Sequence, residues 1–84
     1  MTDQTSTNLS VLLRAVSAAR SEVEDARRLR AAPGSAPVAA EQRVLLEALE
    51  QYAAALSRQG SPMPYRMRDE LAMYRAMFST RRQR

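Results

Sequence analysis

Cysteine, histidine and lysine are all missing from this chain of 84 residues, and glycine occurs only twice. Without cysteine there is no disulfide and no thiolate chemistry, and the loss of histidine as well removes the usual ligands of a structural zinc site. Nucleophilic catalysis by serine needs a neighbouring base, and neither His nor Lys exists to serve as one. The two glycines, Gly34 and Gly60, are too far apart to form a phosphate-cradling loop. Carboxylate pairs remain, but Glu22, Glu24 and Asp25 are too close in sequence to share one helix face. Glu47 and Glu50 are expected on the solvated side of their helix. No catalytic set, metal site or cofactor is therefore expected, and the chain reads as a noncatalytic protein.

Long apolar runs are absent too. None approaches the ~20 residues that a membrane-spanning helix requires. The start, Met1 to Asn8, has neither the basic opening nor the apolar middle of a secretion signal. A soluble, cytoplasmic protein is expected, with no membrane partner.

All thirteen basic residues are arginine, and the formal net charge is +4. Much of that excess lies in the last four residues, where Arg81, Arg82 and Arg84 form a basic tail; residues 1 to 80 are nearly neutral. The joint bias toward Ala and Arg is what a GC-rich genome produces, so the arginine count is not by itself a sign of phosphate binding.

What the chain does have is helical periodicity, in three stretches. Leu9, Leu12, Val16, Ala19, Val23 and Ala26 make the first apolar row, and Val38, Leu45, Leu49, Tyr52 and Leu56 the second. Met67, Leu71, Tyr74 and Phe78 make the third. Steps of three and four place each row on one side of an α-helix, which must then find cover from water. Helices are predicted at about residues 9–31, 37–59 and 64–79, forming one three-helix domain over 9–80, with a disordered polar tail at 1–8 and the basic tail at 81–84.

The boundaries have chemical signals. Thr7 or Asn8 is a candidate cap for the first helix. Pro33, Gly34 and Pro37 mark a sharp break, short enough to turn the second helix back beside the first. Gly60 suits the left-handed residue that ends the second helix, and Ser61 is a candidate cap for the third. Local charge spacing pairs Glu24 with Arg28 and Arg66 with Glu70. Arg20 and Arg30 fall at the edge of the first helix's apolar side, where long stems can lie over apolar surface. The first row repeats every seven residues at 9, 16, 23 and 12, 19, 26, as coiled-coil-like packing requires.

The predicted fold is therefore all-α: an antiparallel two-helix hairpin plus a shorter third helix, in helical-bundle packing. A chain this short sits near the lower size limit for a self-sufficient core, and association as a homodimer is expected. The third helix carries more apolar surface than one neighbour can cover. Met63, Met67, Met73, Tyr74, Met77 and Phe78 are the candidate contacts for a protein partner, with Tyr65, Arg66, Arg68 and Arg75 at the polar rim. The function expected is that of an interaction module, an adaptor or regulatory subunit. The alternative is nucleic-acid binding through the arginines of the third helix and the tail, disfavoured because Asp69 and Glu70 lie where a duplex would approach.

Overall fold

The computed structural model describes residues 3–30 and 38–79, with side chains described from Asn8 onward. Three helices follow one another: α1 (Asp3–Leu29), α2 (Ala39–Arg58) and α3 (Tyr65–Ser79), with no strand among the described residues. α1 begins more than a turn before the expected start at Leu9. Thr7 and Asn8 therefore lie inside it and do not cap it. Extending a formed helix adds a hydrogen bond for each residue fixed, so the amphipathic stretch supplies the nucleus and the polar residues before it follow. The break at residues 32–37 and the basic tail at 81–84 lie outside the described residues.

α2 starts after Val38, whose carbonyl accepts from the Gln42 amide at 2.9 Å, with no side-chain cap. Its end is the one the sequence indicates. Gly60 has φ of +72°, the Gly60 amide donates to the Ser57 carbonyl at 3.0 Å, and the Ser61 amide donates to the Leu56 carbonyl at 2.9 Å. This pair of bonds is a Schellman closure, which satisfies two of the last carbonyls and needs a left-handed residue where glycine stands. Ser61 is thus occupied in closing α2 and is not the cap of α3. The Pro64 carbonyl instead accepts the first α3 bond, from Arg68 at 3.0 Å.

The three apolar rows meet. Val16, Ala19 and Val23 of α1, Leu45 and Leu49 of α2, and Met67, Leu71 and Tyr74 of α3 form one buried cluster. Leu45, Leu49 and Val16 are its most enclosed side chains. Ala19, Ala26 and Ala55 are buried where α1 and α2 pack closely, because a methyl group lets two backbones approach. α3 packs on α2. No buried side-chain nitrogen or oxygen among the described residues lacks a hydrogen-bond partner, as a small core with no spare stability requires.

Candidate interaction surface

α3 presents two rows, and they divide the residues singled out from the sequence. Met67, Leu71 and Tyr74 are buried, while Met63 and Phe78 are half-buried and packed against the same core. Met67 and Tyr74 are therefore core residues of the chain and not contacts left open for a partner. The Arg43 guanidinium of α2 lies 5.2 Å from the centroid of the Phe78 ring, a distance at which a cation is attracted to the ring face.

The second row is Arg66, Glu70, Met73 and Met77, at steps of four, three and four along one flank of α3. Met73 keeps 49% of its surface exposed and Met77 40%. Tyr65, at the start of the helix, is 74% exposed. Arg66 and Arg68 are exposed as well. Arg75 is exposed too, and its Nε and Nη2 donate to Glu50 Oε2 and Oε1 at 2.8 and 2.6 Å.

The ion pairs correct the local pairing rule. Glu70 is not joined to Arg66 one turn away; it accepts from Arg20 of α1, Nη2 to Oε1 at 2.6 Å and Nε to Oε2 at 3.2 Å. Glu70 retains only 22% side-chain exposure. A planar guanidinium meeting a carboxylate with two bonds is stronger than a single flexible contact, and partial burial favours it further. The hydrogen bond to Glu70 raises the Arg20 pKa above its ordinary value, against the opposing effect of burial. Glu50, expected in solvent, is held below the usual carboxylate range chiefly by its hydrogen bond from Arg75. Arg28 pairs with Asp25 at 3.0 Å where Glu24 was expected. Arg30 reaches Glu41 at 3.1 Å, and the same bond lowers the Glu41 pKa.

α3 is thus bracketed: Arg20 holds one flank and Glu50 the other, with the apolar ridge between them. An open depression of about 480 Å³ beside the first pair is lined by Arg20, Arg66, Met67 and Glu70. Among the described residues there is no group of three or more Asp, Glu, His or Cys able to hold a metal ion, and no helix long and apolar enough to cross a membrane. Four exposed apolar residues escaped the sequence reading: Val11, Leu13, Leu29 and Val44. Their signal was present as large apolar residues lying off the core rows. Comparison with family models, curated proteins and solved structures finds no match.

Proposed function

We propose that the protein is a noncatalytic interaction module: an antiparallel α1–α2 hairpin, homodimeric, that offers Met73 and Met77 of α3 to an amphipathic helix of a partner protein. The observation that carries this reading is the exposure of both methionines on a helix whose other apolar row is already buried in the core. Unbranched thioether side chains adapt their shape to a docking helix, and a strip one helix wide with Arg66 and Glu70 along it suits an apolar ridge with charged margins. Two contacts support the hairpin. Arg30 reaches Glu41 near the end of α1 and the start of α2, and at the other end Asn8 and Leu9 share a depression with Ala55, Arg58 and Gln59.

The test compares the parent with Met73→Glu and Met77→Glu, both exposed enough to leave the fold intact. A protein captured from host lysate by the parent, lost with either variant and retained by Asp69→Ala, is the expected result. Equal capture by the parent and both methionine variants would refute the assigned strip. Micromolar binding to random duplex DNA that weakens steeply with salt, without specific protein capture, would replace this reading with nucleic-acid binding through Arg66, Arg68 and the tail.

A further inference from the structure

The charge of the chain is not spread evenly over the bundle. Residues 1–62, which include α1 and α2, hold seven arginines and seven acids, whereas residues 63–84 hold six arginines and two acids. The whole formal excess of +4 therefore belongs to α3 and the sequence around it. Folding concentrates this imbalance at one side chain. Glu70 is the carboxylate one turn along from Arg66, yet both of its oxygens are taken by Arg20 of α1, at 2.6 and 3.2 Å. Arg66 is left with no ion pair and no side-chain hydrogen bond among the described residues.

Arg66 also stands in line with the exposed methionines. It precedes Met73 by seven residues, which returns to the same side of the helix within about 20° and separates the two by about 10 Å along the axis. The open depression of about 480 Å³ at this end of α3 is lined by Arg66 together with Arg20, Met67 and Glu70, two guanidinium groups with one carboxylate between them. Glu24 of α1 attracts Arg20 as well, but it does not line the depression. Arg68 is two residues on from Arg66 and so lies about 160° away around the helix, on the far flank. Only Arg66, of the two unpaired arginines of α3, borders both the depression and the methionine strip.

From this arrangement we infer that the helix docked on the strip is an acidic one: it lays apolar side chains on Met73 and Met77 and, about 10 Å further along, sets an Asp or Glu carboxylate on the Arg66 guanidinium. The inference rests on the interaction reading above and names the chemistry of the partner. The methionines adapt to whatever apolar shape arrives. A planar guanidinium accepts a carboxylate in few geometries, so Arg66 selects the partner and fixes its register. A second copy of α3 is a poor occupant, because it brings the same positive excess to the contact. Duplex DNA offers phosphates to Arg66 but nothing apolar to Met73 and Met77, and it would meet Asp69 at the outer edge of the strip.

The probes are three synthetic amphipathic helical peptides with a central pair of leucines four residues apart. Each carries Glu, Gln or Lys seven residues beyond that pair at both ends, so that either orientation presents the group to Arg66. Fluorescence anisotropy with the full chain at about 50 mM salt, where charge contacts are weakly screened, should rank them Glu, Gln, Lys. The Gln peptide should bind about fivefold and the Lys peptide more than tenfold more weakly than the Glu peptide. Arg66→Ala, with helical circular dichroism unchanged, should abolish the preference for Glu over Gln, and Arg68→Ala should keep it. Equal affinity for all three peptides, lost in Met73→Glu, overturns the acidic partner and leaves the methionine strip standing. A Glu preference untouched by Arg66→Ala overturns the role of Arg66. Binding of the Glu peptide that survives both Met73→Glu and Met77→Glu overturns the strip itself. Failure of every peptide to bind, while host protein is still captured through Met73, overturns this inference alone. Tighter binding of random duplex DNA or of vesicles of anionic lipid than of the Glu peptide, abolished by Arg66→Ala, replaces the acidic helix with that polyanion.

Discussion

Truncating Leu71 to alanine tests the orientation of α3 most directly. Leu71 is 4% exposed and lies at the middle of the ridge that α3 sets into the core. The change removes three carbon groups, worth ~0.8 kcal/mol each in transfer, and leaves a hole that a small bundle can only partly close. The expected cost is about 2–4 kcal/mol. For a chain of this size each kcal/mol lowers the melting temperature by about 4–8 °C, so the midpoint should fall by roughly 10–30 °C. A helix of 15 residues has little stability by itself in water. If α3 leaves before the hairpin melts, about a quarter of the helical circular dichroism should vanish in a separate early step. Met73→Ala, two residues further on and half-exposed, should move the midpoint by no more than the ~0.5 kcal/mol of an ordinary surface change. Measured at sub-micromolar concentration, the two variants must differ in this order. A parent-like melt for Leu71→Ala, with a large loss for Met73→Ala, would mean that α3 is rotated by about a quarter turn from the arrangement described.

Two further measurements probe the helix ends and the ion pairs. Gly60→Ala meets no atom within 4 Å of the added methyl but must hold φ of +72°; the strain of about 1 kcal/mol should lower the thermal midpoint, and Gly60→Asn should lower it less. The Glu50 carboxyl has a depressed pKa in the folded chain, so its contribution is in place above the unfolded value of about 4.3 and is lost as pH falls through the lower folded value. Urea midpoints measured between about pH 5 and pH 2 should therefore fall more steeply for the parent than for Glu50→Gln; identical profiles would show that the pair with Arg75 adds nothing to stability.

Much of the core was legible because burial follows the helical period. Val16, Ala19, Val23 and Ala26, then Leu45, Leu49 and Leu56, then Met67, Leu71 and Tyr74 all lie on predicted rows and are all buried. The closure at Gly60 was legible for a chemical reason, since only glycine takes that backbone conformation without strain. The ion pairs were not. A rule that looks one turn along a helix proposes Arg66 for Glu70, whereas Arg20 is fifty positions away and becomes a neighbour only when α3 is set against the core. The candidate surface was half legible: an apolar strip next to the core row was expected, but Met67 and Tyr74 could not be assigned to the covered side without knowing which row α2 receives.

The two bracketing pairs bear on orientation more than on stability. Glu70 and Arg75 are five residues apart, which separates them by about 140° around the helix, with Met67, Leu71, Tyr74 and Phe78 in the arc between them. Each pair is partly exposed, at 37% and 22% for Arg20 and Glu70 and 57% and 41% for Arg75 and Glu50. Solvent screening therefore keeps the net gain from each small. Their geometric effect is larger. Turning α3 by one residue's worth of rotation would swing Met73 and Met77 toward α1, carry Glu70 away from Arg20, and part Arg75 from Glu50, so both carboxylates would lose two hydrogen bonds together. The apolar ridge alone tolerates some rotation, because methionine and leucine repack readily; two bidentate contacts on opposite flanks do not. The arginines of α1 and α3 thus act on the proposed surface indirectly, by fixing which side of α3 faces outward.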